Sequence, residues 1–248
     1  MFGISLIPII PLRSEPSSKS EMVSQLLFGQ KYIVLHTQPN WLKIETIDDK
    51  YIGWINDTQA EIINESDWLS LENPKVVLEY PFLKILVNET PMYISTGSII
   101  YSSTQFKVGG YNIITNLVET NKQVGLEQTA LQYLNTPYLW GGKTPWGIDC
   151  SGFTQTVFAQ NGIFLKRDAY QQAEQGETLA FLEESKIGDL AFFDNDEGKI
   201  IHVGILLENG QIIHANGKVR IDKIDNYGIM NSETRKYSHK LRIVKRII

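Results

Sequence analysis

The chain of 248 residues contains a single cysteine, Cys150, and four histidines. One cysteine excludes an intrachain disulfide, so its thiol is either a small buried apolar group or a reactive one. Cys150 follows a glycine-rich stretch and is predicted to begin a helix, where free N–H groups and the helix dipole stabilise a thiolate. The same N–H groups can bind an oxyanion beside the sulfur. The sequence therefore predicts a cysteine nucleophile at this position.

Glycines surround this cysteine on both sides in the sequence. They are Gly141, Gly142, Gly147 and Gly152. Because glycine has no side chain, we expect these positions to leave the approach to the thiol open for a peptide substrate.

A cysteine nucleophile needs a general base, and two histidines interrupt apolar runs that are typical of buried strands. His202 lies within residues 200–207 and His214 within residues 211–215. For the other two, His36 in the first β-rich segment and His239 in the basic C-terminal segment, we expect a surface or structural role.

The loop between these two predicted strands decides whether the two histidines lie on the same face. A two-residue loop, Asn209-Gly210, would place them on opposite faces of the hairpin. A three-residue loop with Gly210 in the left-handed conformation pairs Leu207 with Gln211 and places both rings on one face. We predict the three-residue loop, with His202 as the base and His214 as the group that orients it.

The elements around these residues predict an α+β fold, a papain-like arrangement of helices packed on an antiparallel sheet. Apolar spacing from Leu126 predicts a helix that ends before Pro137, and a second helix runs from Cys150 to about residue 160 with Asp149 as its N-cap. A short helix follows at 170–175. Strands are then predicted at 190–193, 200–207, 211–215, 219–221 and 241–247.

The first half of the chain consists of short runs of β-branched and aromatic residues that are broken by turn residues. Strands of about five residues at this close spacing are typical of small all-β barrels. We therefore predict three domains: a barrel over residues 1–63, a second and more divergent barrel over 74–120, and the α+β domain over 121–248.

Composition limits the possible partners. The net charge is −5 and the pI is near 5.5, which argues against nucleic acid binding. The locally basic C-terminal residues alternate with apolar ones and predict a strand with a solvated basic face; they are Lys236, Lys240, Arg242, Lys245 and Arg246. No apolar stretch is long enough for a membrane-spanning helix, so no membrane partner is expected.

We expect neither a cofactor nor a metal. One cysteine and two strand histidines could form a zinc site, but a cysteine at a helix N-terminus suits nucleophilic attack better. No phosphate-binding loop or dinucleotide fingerprint is present. The apolar N-terminus lacks a basic region and a cleavage site, which favours a cytoplasmic location, with secretion as the alternative if a leader precedes this sequence.

Several motifs of this chain resemble those of NlpC-type, papain-like cell-wall cysteine peptidases that carry N-terminal bacterial SH3-like domains. The matching segments are Pro137-Tyr-x-Trp-Gly-Gly142, Asp149-Cys-Ser-Gly-Phe153, Gly188-Asp-Leu190, His202-Val-Gly204 and Ile213-His-Ala215. They occur in the order found in that family. Residues 12–17, Trp41 and Gly53-Trp54 resemble the SH3-like pattern.

The resemblance implies a catalytic triad of Cys150, His202 and His214. It also implies that Tyr138 and the Cys150 N–H form the oxyanion hole, with Ser151 and Asp149 helping to position oxyanion or substrate. Asp149 is more easily explained as a helix cap, since its negative charge would oppose thiolate formation.

A narrower resemblance, in residues 20–29 and 167–169, is to the branch that cleaves murein stem peptides between γ-D-Glu and the diamino acid. That branch acts on peptides with a free N-terminal L-Ala. The resemblance implies that Asp168 and an acid of the first barrel, Glu21 or alternatively Glu15, bind the L-Ala ammonium. Further substrate-binding residues that it implies are Arg167, Ala169 and Trp140.

Two other functions remain open from the sequence. One is a secreted peptidoglycan hydrolase that acts on the intact cell wall, and the other is a non-catalytic module that binds wall peptides.

Overall fold

The computed structural model describes residues 1–71, 76–79, 81–117 and 124–247. The chain divides into two compact units, Met1–Lys122 and Gln123–Ile248. The predicted domain limits at residues 74, 120 and 121 lie outside the described residues, and the division into 1–63, 74–120 and 121–248 stays a prediction. None of the helices in the described ranges has both the length and the apolar character needed to cross a bilayer.

In its described residues, the first unit is built from short antiparallel strands and one short helix. Its elements are β1 (Phe2–Ile4), β2 (Ile9–Arg13), β3 (Met22–Leu27), β4 (Lys31–Gln38), β5 (Trp41–Thr46), β6 (Ile52–Asn56), β7 (Glu61–Ile63), α1 (Glu65–Ser70), β8 (Val76–Val77), β9 (Phe82–Val87), β10 (Thr90–Ser95), β11 (Ile99–Ile100), β12 (Gln105–Val108) and β13 (Tyr111–Ile114). They form sheets in the orders β3-β2-β6-β5-β4-β1-β7, β10-β9-β13-β12 and β11-β8.

The two halves of the first unit share a buried cluster. Ile4 and Phe28 from the first half belong to the same hydrophobic cluster as Ile85 and Ile113 from the second. A separate cluster around Tyr32 fills the inside of the first barrel.

The second unit combines three helices with antiparallel strands. Its elements are α2 (Leu126–Leu131), β14 (Lys143–Thr144), β15 (Gly147–Ile148), α3 (Cys150–Gln160), α4 (Ala169–Gln172), β16 (Glu177–Thr178), β17 (Leu190–Asp194), β18 (Ile200–Leu207), β19 (Gln211–Asn216), β20 (Lys218–Asp225), β21 (Gly228–Met230) and β22 (Tyr237–Arg246). Short 3₁₀ turns lie at Asp57–Gln59 in the first unit and at Leu182–Glu184 in the second.

The large sheet of the second unit has the strand order β16-β22-β17-β18-β19-β20-β21. Because β21 also pairs with β22, six of these strands close into a ring. Helix α3 packs on one face of this sheet through Phe153 and Val157, which lie in one buried cluster with Val203 and Ile213. The prediction of an α+β fold is confirmed.

The hairpin of β18 and β19 has the predicted register. Leu207 pairs with Gln211 across a three-residue loop, and Gly204 pairs with His214. Asn209 and Gly210 both adopt positive φ values, 58° and 64°. Since alternate residues of a strand share a face, His202 and His214 lie on the same face, as predicted.

The glycines before and within α3 have a different role from the one expected. A Cβ atom at Gly152 would lie 2.3 Å from the carbonyl oxygen of Gly142, and one at Gly142 would lie 2.4 Å from that of Gly147. The space beside these glycines is therefore filled by the backbone of the same loop. The expectation that they keep an open path for substrate is wrong at these two positions.

We predict that Gly152→Ala destabilises the protein by about 1–3 kcal/mol, because backbone atoms rather than a movable side chain oppose the new methyl group. Thermal or urea unfolding followed by circular dichroism measures this change. The matched control is Gly125→Ser, where nothing lies within 4 Å of the added Cβ and a serine can cap α2. Equal stability of Gly152→Ala and the native protein would contradict the packing argument.

Candidate active site

Cys150 is the first residue of α3, and the loop before it fixes its position. The Asp149 side chain caps the helix by accepting a hydrogen bond from the Gly152 N–H at 2.6 Å, which confirms the predicted N-cap. The cysteine is only 5% exposed and belongs to the buried cluster beneath α3. The backbone of Val203, the residue that follows His202, lowers the pKa of the Cys150 thiol.

The surroundings of Cys150 favour the neutral form of its thiol. Burial, and to a smaller extent the nearby Asp149 carboxylate, raise its pKa to about 12. The Val203 backbone, the Arg167 charge and the Ser151 backbone lower the pKa by smaller amounts. Desolvation is the largest of these effects, because it disfavours the charged form more than the neighbouring groups favour it. The thiolate expected at the helix N-terminus stays a prediction.

A buried ion pair holds the loop that carries Cys150. The Arg167 side chain is 1% exposed, and its two terminal nitrogens donate to the two Asp149 carboxylate oxygens at 3.0 and 2.6 Å. Arg167 also donates to the Ser151 hydroxyl at 2.9 Å, and the Gly141 N–H donates to Asp149 at 2.8 Å. Arg167 thus supports the loop; its predicted contact with substrate stays a prediction.

The two strand histidines form a hydrogen-bonded pair. Nε2 of His202 lies 2.8 Å from Nδ1 of His214, and both rings are buried. Burial lowers the pKa of His202 well below its ordinary value, and neighbouring His239 and His214 lower it further. No hydrogen bond among the described residues joins His202 to the Cys150 sulfur, whose contact with this strand is through Val203.

The histidine pair continues to a buried carboxylate that sequence reasoning missed. Nε2 of His214 lies 3.1 Å from Oδ2 of Asp222, a side chain with no exposed surface. Strand β20 places it there, because Arg220 pairs directly with His214 and Asp222 follows two residues later on the same face. The alternation of side chains along the strand could have predicted that Asp222 faces His214, but only with the correct turn. Asn216 pairs with Lys218 around Gly217, whereas the sequence Asn216-Gly217 suggests a two-residue turn, which would place Asp222 on the opposite face.

His239 is the second functional candidate that sequence reasoning missed. Its ring stacks on His202 with centroids 4.0 Å apart and planes 18° from parallel. Burial, and to a smaller extent His214, lower the pKa of His239 to about 4, while Asp222 opposes this. Of the expected surface or structural role, a fully exposed position is wrong, since the ring is half-buried against His202. Strand β22 reaches this cluster by pairing with β17, which no local sequence pattern predicts.

Three imidazoles in one cluster could also bind a metal ion. One nitrogen from each of His202, His214 and His239 lies within 4.8 Å of the others. Both nitrogens of His214 already face hydrogen-bond partners, His202 and Asp222. A metal ion bound by all three rings would have to displace at least one of these bonds.

Tyr138 lies close to the cysteine, as the expected oxyanion role requires. Its backbone N–H donates to the Gly217 carbonyl at 3.0 Å. Burial raises the pKa of Tyr138, and the neighbouring Cys150 and Asp149 raise it further, so its hydroxyl keeps its proton. Trp140, two residues on, is 58% exposed.

The residues expected to bind the peptide N-terminus differ in their surroundings. Asp168 is half-buried and is the N-cap of α4, where its backbone N–H donates to Gln171 at 3.1 Å. Ala169 is buried beside it. Glu21 is exposed in the first unit, directly before β3. Their roles in substrate binding stay predictions.

Two family models match this chain. The model of the NlpC/P60 family matches residues 135–238. This segment includes Cys150, His202, His214 and Asp222, and it ends one residue before His239. The model of the bacterial SH3 domain matches residues 10–60.

Curated relatives extend the match over most of the chain. The γ-D-glutamyl-L-lysine dipeptidyl-peptidase of Bacillus subtilis (strain 168) is 31% identical over 219 residues, which cover 77% of this chain and 71% of that protein. Dipeptidyl-peptidase 6 of Lysinibacillus sphaericus is 26% identical and covers 91% of this chain and 92% of its own length.

A solved structure has the same fold. The crystal structure of an NlpC/P60 family protein from Bacillus cereus ATCC 10987 superposes with a TM-score of 0.81 and covers 100% of this chain at 20% identity, with 99% of its own length matched. The family model alone matches less than half of the chain, but the match to the Bacillus subtilis protein covers 77% of it. That match shows which family the chain belongs to. The chain belongs to the NlpC/P60 family, with a bacterial SH3 domain near its N-terminus.

Proposed function

We propose that this protein is a cysteine peptidase that hydrolyses the bond between γ-D-Glu and the diamino acid of murein stem peptides with a free N-terminal L-Ala. The observation that carries the proposal is the place of Cys150 in one buried cluster with Val203, the residue after His202, beside the hydrogen-bonded pair of His202 and His214. The names of the relatives support this substrate class, since both are dipeptidyl-peptidases and one is named for a γ-D-glutamyl-L-lysine bond.

The proposed reaction starts from a neutral thiol and a neutral imidazole. As the Cys150 sulfur attacks the γ-carbonyl of D-Glu, His202 takes the thiol proton. The oxygen of the tetrahedral intermediate is bound by the Cys150 N–H and the Tyr138 hydroxyl. The carbon–nitrogen bond then breaks and His202 protonates the leaving amine. Water, activated by the same imidazole, hydrolyses the thioester and releases L-Ala-γ-D-Glu.

Selection for a free N-terminus is proposed to depend on Asp168. A carboxylate facing an ammonium group forms a strong charge-assisted hydrogen bond, which an acylated nitrogen cannot offer. A site built for a polar group rejects an analogue that lacks it, because the buried carboxylate is left unpaired. With this substrate we propose a cytoplasmic role in recycling murein peptides.

We predict that Cys150→Ala abolishes cleavage of L-Ala-γ-D-Glu-meso-diaminopimelate, because Cys150 is the only cysteine of the chain. Mass spectrometry of the products measures the loss. Glu208→Gln, in the exposed turn after β18, is the control and is expected to retain full activity. A native protein that binds this peptide without cleaving it would instead support a non-catalytic binding module.

We predict that the N-acetylated form of the same peptide is cleaved at least about 100-fold more slowly, expressed as kcat/KM, than the free form. Asp168→Asn should reduce this discrimination by slowing cleavage of the free peptide, while cleavage of the acetylated peptide changes little. Equal rates for the two peptides, or release of peptides from intact sacculi, would favour a hydrolase of the cell wall.

We predict that iodoacetamide alkylates Cys150 slowly at pH 7 and about tenfold faster with each pH unit up to pH 10. The rate rises with pH because only the thiolate reacts. With a thiol pKa of about 12, the thiolate fraction increases throughout the range up to that pH. The control is the same protein in 8 M urea, where an ordinary thiol reaches its maximum rate near pH 9–10. A rate that is constant from pH 5 to pH 8 would indicate a preformed thiolate–imidazolium pair instead.

A further inference from the structure

The carboxylate of Asp222 lies behind the histidine pair and accepts hydrogen bonds from four groups. Its Oδ2 accepts from His214 Nε2 at 3.1 Å and from Arg220 Nε at 2.8 Å. Its Oδ1 accepts from Arg220 Nη2 at 3.1 Å and from the Ser232 backbone N–H at 2.8 Å. A fully buried acid with this many donors needs its negative charge to satisfy them all.

These donors keep Asp222 ionised. Burial opposes ionisation, but hydrogen bonds from His214, Ser232 and Arg220 together hold the pKa of Asp222 well below its ordinary value. Arg220 is itself largely buried, with a side chain 13% exposed, and it contacts the exposed Glu233 at 3.4 Å on its other side. The Asp222 side chain is thus an anion that can only accept hydrogen bonds.

An anion at this position determines which nitrogens carry protons in the histidine pair. His214 Nε2 must be the donor to Asp222, because an unprotonated nitrogen would direct its lone pair at the carboxylate. In neutral His214 the lone pair is then on Nδ1, which accepts from His202 Nε2. His202 therefore carries its proton on Nε2 and its lone pair on Nδ1, a nitrogen without a hydrogen-bond partner among the described residues.

We infer that Asp222, held in place by Arg220, is a positioning residue that fixes the tautomers of His214 and His202 and leaves Nδ1 of His202 as the basic nitrogen. This inference rests on the proposed function, in which His202 takes the proton of Cys150. Asp222 touches neither substrate nor sulfur and acts only through the two imidazoles. The wrong tautomer would present an N–H to the thiol and could accept no proton from it.

The test is the substitution Asp222→Asn, which keeps the size of the side chain but replaces one acceptor by an amide donor. The amide N–H₂ must then face either His214 or a donor of Arg220. If it faces His214, that ring accepts through Nε2, donates through Nδ1 and forces the His202 proton onto Nδ1. Because an Asp→Asn change next to the base of a catalytic triad costs about 10⁴-fold, and Asp222 lies one residue further away, we expect kcat to fall about 10²-fold with KM changed by less than about threefold.

The control variant is Asp225→Asn, an exposed carboxylate on the same strand, for which we expect native kcat and KM. The second measurement is ¹⁵N NMR of histidine-labelled protein, assigned through single histidine variants, which reports the protonated nitrogen of each ring. We expect the native protein to carry the His202 proton on Nε2, and Asp222→Asn to carry it on Nδ1.

Three results would overturn the inference. They are a native spectrum with the His202 proton on Nδ1, a kcat of Asp222→Asn within threefold of native, and a loss of kcat without a change of tautomer. The native spectrum decides the matter even if Asp222→Asn does not fold. A native protein that cleaves no stem peptide would refute the proposed function. The inference about the tautomers would still be tested, because the NMR spectrum requires no substrate.

Discussion

The removal of ionisable groups from water is the constraint on which the candidate site depends. Cys150, His202 and His214 are each at most 5% exposed, so their charged forms lose the solvation that water gives them. Burial raises the pKa of the thiol and lowers that of His202, so it favours the neutral form of both groups.

Two buried aspartates near the candidate site are each paired with an arginine. Asp149 is bound by Arg167 below the loop that carries the cysteine, and Asp222 is bound by Arg220 behind the histidines. Such pairs contribute little net stability, but breaking one leaves an uncompensated buried charge. Their value here is geometric, since one pair fixes the start of α3 and the other fixes the ring of His214.

The sheet brings the two histidines and the aspartate of the hydrogen-bonded chain together on a single face, in the order in which they occur in the sequence. Strand β18 supplies His202, β19 supplies His214 and β20 supplies Asp222. A hydrogen bond of 3.1 Å joins His214 to Asp222. His239 comes from β22 because the strand order closes into a ring. The helix that begins at Cys150 packs on β18 and β19, and Cys150 lies in one buried cluster with Val203, the residue that follows His202.

The sequence by itself determined the local features: the helix that begins at Cys150, its Asp149 cap, and the hairpin loop that places His202 and His214 on one face. These follow from capping, apolar period and turn chemistry, which act over a few residues. Only the tertiary structure decided that Asp222 and His239 join His202 and His214, and that burial raises the pKa of the thiol. Strand closure and desolvation depend on atoms far apart in the chain, and no pattern of neighbouring residues encodes them.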